Sequence, residues 1–153
     1  MVDVNLLKAI PFFEVFPHDK LKTVAQLCEY RGYREKATIL TQGEINTELL
    51  FLLEGTVVVF VDKKSIVGVS GDGELFGEVS ISTQSPCSAT LKAKTDCKFA
   101  ILNFNKINEL EESLRDAILK SCWHSIARNL SRKLSITNEI ANTYKVKYKQ
   151  ATE

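Results

Sequence analysis

The apolar positions at the start of the chain repeat with the period of a helix. The first such segment runs from Asp3, a residue type that caps helices, to Ile10, and Pro11 follows it. Asp19 can cap a second helix, whose apolar side chains then share one face: Leu21, Val24, Ala25 and Cys28. We therefore predict N-terminal helices within residues 3–29.

From Tyr30 to Asn103 the pattern changes to short extended runs that are separated by turn residues, among them Gly43 and Gly55. The extended runs fall at 30–34, 37–40, 48–54, 56–61, 66–70, 74–76, 88–93 and 97–103. Runs of this number and spacing are typical of a sandwich or a barrel made from two four-stranded sheets.

After Asn103 the helical period returns. Asn105 can cap a short helix over 105–112, and a helix without Pro or Gly is predicted over 114–148. Its apolar and small residues alternate by three and four, as in a two-stranded seam: Trp123, Ala127, Leu130, Leu134, Thr137, Ala141, Tyr144 and Tyr148, widened by Ile126, Ile136 and Ile140. Because a small domain cannot cover so long a stripe, we predict a homodimer through this helix. The alternative is a helix that folds back on its own domain.

The stretch from Glu74 to Ala93 carries the candidate chemistry. Phe76-Gly77-Glu78 closes an extended run at a glycine, which tolerates close backbone approach. A helical turn over 79–82 would direct its free N–H groups back toward this glycine and the glutamate. An anion cradle beside a carboxylate suits a ligand that carries both a phosphate and hydroxyl groups.

This stretch resembles the phosphate-binding cassette of the cyclic-nucleotide-binding domain family, which includes catabolite activator protein-like and protein kinase A regulatory subunit-like domains. The order apolar, Gly, Glu, any, small, apolar is matched over 76–81, and the order small, Ala, any, apolar, any, small is matched over 88–93. A second pattern of the family matches at Gly43, Glu44, Leu49–Leu52 and Gly55, with Asn46 where a smaller residue is usual.

The resemblance implies an α+β fold, namely an eight-stranded β jelly-roll barrel flanked by N-terminal helices and a long C-terminal helix. It divides the chain into a cyclic-nucleotide-binding-like domain over 1–113, with its β-roll over 30–103, and a dimerisation helix over 114–148. Helix-mediated dimerisation in bacterial members of the family favours the seam over the folded-back helix.

The resemblance also implies a ligand site for cyclic AMP or cyclic GMP, formed by Phe76, Gly77, Glu78, Val79, Ser80, Cys87, Ser88, Ala89 and Thr90. One of these positions departs from the family: its phosphate-binding arginine falls on Cys87, which offers neither charge nor the forked geometry of a guanidinium. A charge-assisted hydrogen bond contributes about 1.5–3 kcal/mol. We therefore expect cyclic nucleotide to bind weakly.

Three hypotheses remain open for this site. In the first, the protein is a cyclic-nucleotide sensor in which Lys92, Arg132 or Lys133 replaces the missing arginine. In the second, it has lost cyclic nucleotide and is a dimerisation or protein-interaction module, or it binds another ligand. In the third, Cys87 and His124 are ligands of a haem or redox sensor, although a lone cysteine among strands is usually a small buried hydrophobe.

The composition of the chain argues against several classes of function. A chain of 153 residues with 44% hydrophobic and 25% charged residues is ordinary for a globular domain, and its net charge of +1 gives no strong field for nucleic acid or a membrane. No signal peptide is visible, and four cysteines without C-x-x-C spacing predict no metal site and a cytoplasmic location. No nucleophile–base pair appears, so we expect no enzyme. The chain ends soon after the long helix, so the expected output is a protein partner or a missing domain.

Overall fold

Three short helical segments precede the first strand in the computed structural model, which describes residues 1–70 and 73–152. They are α1 (Val4–Lys8), a 3-10 helix (Pro11–Val15) and α2 (His18–Leu27). The Asp3 carboxylate accepts a hydrogen bond from the Asn5 amide at 2.8 Å, which confirms the predicted cap of α1. The predicted cap at Asp19 is wrong, because α2 begins after Pro17 and Asp19 lies inside its first turn.

Eight antiparallel strands follow, as the runs predict. They are β1 (Cys28–Tyr33), β2 (Thr38–Leu40), β3 (Glu48–Glu54), β4 (Thr56–Val61), β5 (Lys64–Ser70), β6 (Glu74–Phe76), β7 (Thr90–Ala93) and β8 (Cys97–Asn103). The N-terminal helices therefore end two residues before the predicted limit of 29, because Cys28 and Glu29 already pair with β8.

The strands form two sheets with the orders β1-β8-β3-β6 and β2-β7-β4-β5. Over the described residues the sheets do not join into a closed ring, so the predicted barrel is corrected to two facing sheets. The antiparallel α+β architecture with a long C-terminal helix is as predicted. The sequence also predicts a turn at Gly71-Asp72-Gly73, between the runs 66–70 and 74–76, but residues 71 and 72 lie outside the described residues.

β3 is buried on both faces because the domain has two apolar clusters. Leu49 and Phe51 face the cluster that contains the N-terminal helices, whereas Leu50 and Leu52 face the cluster between the two sheets. Successive side chains of a strand point to opposite faces, so an uninterrupted apolar run is what such a central strand requires.

Helix α3 (Glu78–Thr83) lies between β6 and β7, and the C-terminal part consists of α4 (Phe104–Asn108) and α5 (Glu112–Thr152). The cap of α4 is Asn103, whose side chain accepts from the Asn105 amide, and not Asn105 as the sequence predicts. The long helix is present and extends past both predicted limits, 114 and 148. None of the helices in the described ranges has both the length and the apolar character needed to cross a bilayer.

The first half of α5 packs on its own domain. Ile118, Cys122 and Ile126 are buried in the cluster that contains the N-terminal helices, and the Ser125 hydroxyl donates to the Phe12 carbonyl. Ile126 is only 2% exposed, so its predicted place in a seam between two copies is wrong for this conformation. The folded-back alternative therefore holds for this half of the helix.

Candidate functional site

The turn from β6 into α3 (Glu78–Thr83) depends on Gly77. This residue has φ +88°, and a Cβ there would lie 2.3 Å from the Glu48 carbonyl oxygen. Only glycine combines this left-handed conformation with so close an approach. The predicted helical turn over 79–82 is therefore present and is one residue longer at each end.

Asn46 holds the start of α3 in place. Its side-chain amide donates to the Glu48 carbonyl at 2.8 Å and to the Ser80 hydroxyl at 3.1 Å. Ser80 in turn donates to the Gly77 carbonyl at 3.1 Å. Asn46, which stands where the family usually has a smaller residue, therefore connects the loop before β3 to the cassette. The sequence alone does not indicate this role.

A single cavity of about 660 Å³ lies beside α3. This volume falls within the range of roughly 300–1,000 Å³ typical of small-molecule pockets. Every ligand-site residue predicted from the sequence lines it: Phe76, Gly77, Glu78, Val79, Ser80, Cys87, Ser88, Ala89 and Thr90. The structure thus brings the two halves of the predicted cassette, 76–80 and 87–90, to one wall.

Side chains of α5, the helix that is predicted to form a seam between two copies, also line the cavity. Arg132, Lys133, Ile136, Thr137 and Ile140 line the cavity from this helix. Their spacing of three and four residues places them on one helix face. That spacing was visible in the sequence, but nothing in the period says whether an apolar face meets a second helix or a cavity.

Lys133 reaches the floor of the cavity and pairs with Glu78. Its Nζ donates to Glu78 Oε1 at 2.6 Å and to the Leu75 carbonyl at 2.7 Å, and it lies 3.6 Å from Glu74 Oε1. The ammonium also lies 5.5 Å from the centroid of the Phe76 ring. Glu78 is only 4% exposed, so this ion pair joins the cassette to α5 in a partly dry environment.

The position of the missing arginine is fixed by the backbone. Cys87 N donates to the Glu44 carbonyl at 2.8 Å, and Gly43 N donates to the Cys87 carbonyl at 2.9 Å. The Cys87 side chain lines the cavity, and burial raises the pKa of its thiol, so the group is neutral at physiological pH. The wall at this point therefore carries no positive charge.

Of the three cations considered as substitutes for the arginine, two reach the cavity. Arg132 and Lys133 line it, and Arg132 forms an ion pair with Glu74 at 3.2 Å. Lys92 is exposed, does not line the cavity and lies 5.6 Å from the centroid of the Phe60 ring. Lys92 is therefore a wrong candidate, although it shares a strand with Thr90.

The residues named for a haem or redox site do not come together. His124 is exposed on α5 and is not part of the cavity wall that contains Cys87. Across residues 1–70 and 73–152 no group of three or more His, Cys, Asp or Glu side chains is arranged to hold a metal ion. The geometry thus gives this hypothesis no support.

The other residues of the predicted seam differ in how far their side chains are exposed. Leu130 is partly buried against its own domain, whereas Trp123, Ala127, Leu134, Thr137 and Ala141 are exposed, and Leu134 is 61% exposed. Trp123 also contacts Phe104 edge to face, with centroids 5.6 Å apart. The side chains of Tyr144 and Tyr148 lie outside the described residues. The seam stays a prediction beyond Leu130.

Comparison with known proteins gives a match to the sequence model of the cyclic nucleotide-binding domain over residues 30–113. The chain is 27% identical to the cAMP-activated global transcriptional regulator Vfr of Pseudomonas aeruginosa, in an alignment that covers 81% of this chain and 67% of Vfr. It is 26% identical to the cAMP-activated global transcriptional regulator CRP of Salmonella typhimurium, over 73% of this chain and 53% of that protein.

Among solved structures, the chain is similar to the regulatory subunit of a cAMP-independent protein kinase A from Trypanosoma brucei. The TM-score is 0.69 at 22% identity, with 93% of this chain and 48% of that chain covered. The chain thus spans between about half and two thirds of the curated relatives described above. Because those relatives are transcriptional regulators, the expectation that the protein has no nucleic-acid partner is not supported.

Proposed function

The chain belongs to the cyclic nucleotide-binding domain family, and we propose that it is a non-catalytic regulatory module whose pocket binds cyclic nucleotide weakly. One observation carries this proposal: all the cassette residues predicted from the sequence line one cavity, and the side chain at the arginine position is a buried neutral thiol. In this proposal the cassette residues surround the ligand, and a neutral side chain stands where the resemblance places the phosphate-binding arginine.

The groups that remain suit a cyclic nucleotide in part. The backbone amides at Gly77 and Glu78 would face the phosphate, and Ser88 and Thr90 would offer hydroxyls to the phosphate or base. Thr90 Oγ1 already accepts from the Gln42 amide at 2.9 Å, so its proton is available to a ligand acceptor. The Glu78 carboxylate is the acceptor proposed for a ribose hydroxyl. Without a guanidinium fork these contacts support weak affinity for cyclic AMP or cyclic GMP.

Titration with cyclic AMP and cyclic GMP, followed by isothermal calorimetry and thermal shift, tests this proposal. Linear 5′-AMP is the control, since it keeps the base and ribose but not the cyclic phosphate. We expect dissociation constants well above the micromolar range and a preference for the cyclic over the linear nucleotide. Micromolar or tighter binding would show that another group already replaces the arginine.

A second candidate function is a dimerisation or protein-interaction module that needs no ligand, and the C-terminal half of α5 favours it. Leu134, Thr137 and Ala141 share one face of α5 at the three-and-four spacing of the predicted seam, and all three are exposed, Leu134 by 61%. We propose that these residues form a parallel homodimer seam within the helical segment 114–148. Sedimentation velocity tests this, and a monomer mass at tens of micromolar protein would contradict it.

The remaining parts of the proposal concern the cellular location and the output of the module. Cys28, Cys87, Cys97 and Cys122 are all free and buried, which fits the reducing cytoplasm. The output of the module is proposed to be a protein partner or an attached domain, as in the transcriptional regulators that exceed this chain in length.

A further inference from the structure

The charged groups that line the cavity neutralise one another. Four charged side chains line it, and they form a closed set of ion pairs: Arg132 with Glu74, and Lys133 with both Glu74 and Glu78. A lysine ammonium has three N–H donors and no acceptor. Lys133 Nζ donates to Glu78 and to the Leu75 carbonyl, and it lies 3.6 Å from Glu74 Oε1. Two of its three donors are therefore already used within the protein, and both carboxylates of the cavity neutralise its charge.

The Glu78 carboxylate is the group that the proposed function assigns to a ligand hydroxyl. It is 4% exposed, and a buried carboxylate without a partner is costly. Lys133 Nζ donates to Oε1 of this carboxylate at 2.6 Å in a hydrogen bond between two charged groups, whereas a ribose hydroxyl would donate from a neutral group. A hydroxyl that binds at Oε1 must therefore displace an ion-paired donor.

Resting on the proposed function, we propose that Lys133 is a specificity-determining residue that occupies the place of the ligand hydroxyl at Glu78. Cyclic nucleotide affinity is then limited twice, once by the neutral side chain at Cys87 and once by the lysine from α5. The second limit acts only on ligands that use Glu78. Wild-type protein should consequently discriminate little between cyclic AMP and its 2′-deoxy analogue, because neither gains the carboxylate.

The test uses the Cys87→Arg background, in which the phosphate contact is restored and binding is measurable. Calorimetry with cyclic AMP compares Cys87→Arg with Cys87→Arg/Lys133→Met, which keeps the length of the side chain and removes its charge. We expect the double variant to bind about ten- to a hundredfold tighter, as one charge-assisted hydrogen bond predicts. It should also regain discrimination against 2′-deoxy cyclic AMP.

Two further variants separate this effect from a general loosening of the helix. Arg128→Met removes a cation from the same helix, where it pairs with Glu14 at 3.2 Å away from the cavity, and should leave affinity within about twofold. In a Glu78→Gln background, Lys133→Met should have no effect on affinity, since the pair it would break is already lost. Helicity and melting temperature are measured for each variant, and Lys133→Gln replaces Lys133→Met if the latter does not fold.

The outcomes are distinguishable. Tighter binding that disappears in the Glu78→Gln background supports the inference. Weaker binding on removal of Lys133 would overturn it and make the lysine a ligand cation, and unchanged binding would make the lysine purely structural. If Cys87→Arg binds cyclic AMP but Lys133→Met adds nothing, only this inference fails. If no variant binds cyclic nucleotide, the proposed function fails as well.

Discussion

The strongest test of the pocket is to restore the missing charge with Cys87→Arg. The backbone on either side of this position is held by hydrogen bonds to Gly43 and Glu44, so a new side chain starts from the cavity wall. The cavity of about 660 Å³ has room for a guanidinium. An arginine there would face the proposed phosphate position beside the Gly77 and Glu78 amides.

The magnitude follows from the bond that is gained. A charge-assisted hydrogen bond contributes about 1.5–3 kcal/mol, and each 1.4 kcal/mol is a factor of ten in affinity. Cys87→Arg should therefore bind cyclic AMP about ten- to a hundredfold tighter than the wild type. The gain should fall at high salt less than for a surface pair, because the site is partly enclosed.

Isothermal calorimetry on three proteins measures this effect. The wild type and Cys87→Arg are compared with Cys87→Met, which fills similar space without a charge. We expect the methionine variant to bind no better than the wild type. If Cys87→Met and Cys87→Arg bind equally, the phosphate does not meet this wall and the assignment of position 87 by resemblance is wrong.

Three further predictions concern assembly and stability. Leu134→Asp should convert the proposed dimer to monomer in sedimentation velocity, because it places an unpaired charge in an apolar seam, and retention of the wild-type mass would contradict the seam. Gly77→Ala should lower the free energy of unfolding in urea by more than about 1 kcal/mol, since φ is +88° and the added Cβ meets backbone; an unchanged midpoint would contradict this. Burial raises the pKa of both Cys28 and Cys122 from 9.0 to about 12, so stability should be greatest below pH 9 and decline between pH 9 and 12. The variant Cys28→Ala/Cys122→Ala should show a smaller decline, and what remains is expected from Cys87 and Cys97, whose pKa values burial also raises.

The strands could be predicted closely because their signal is local. Leu49–Leu52 is apolar on both faces, and the structure places this run centrally between two clusters. Gly55 and Gly77 adopt positive φ at the turns that the sequence marks. The predicted closure of the barrel was wrong for the described residues, since pairing between distant strands is set by the packing of the whole domain.

The residues of the cassette could be predicted from the sequence, but the residues elsewhere in the chain that contact them could not. Its residues occupy consecutive positions, so their shared wall follows from one local turn at Gly77. Asn46 and Lys133 come from 31 positions before and 56 positions after that glycine, and the tertiary fold brings them into contact with Ser80 and Glu78 of the cassette. A basic residue at helical spacing was a visible signal for Lys133, but its partner could be identified only from coordinates.

The apolar residues of α5 repeat with a period that is compatible both with a dimer seam and with a helix that folds back on its own domain. Ile126 and Ile140 belong to the same stripe in the sequence, yet Ile126 is buried in its own domain and Ile140 is both exposed and part of the cavity wall. An apolar stripe on a helix indicates that this face is covered in the folded protein, but it does not indicate whether the same domain or a second copy covers it. Since Ile136 and Ile140 line the cavity and are also open to solvent, a second copy that packs on this face would change the wall of the proposed ligand site. Assembly and ligand affinity should therefore be measured on the same samples, because a shift in one is expected to appear in the other.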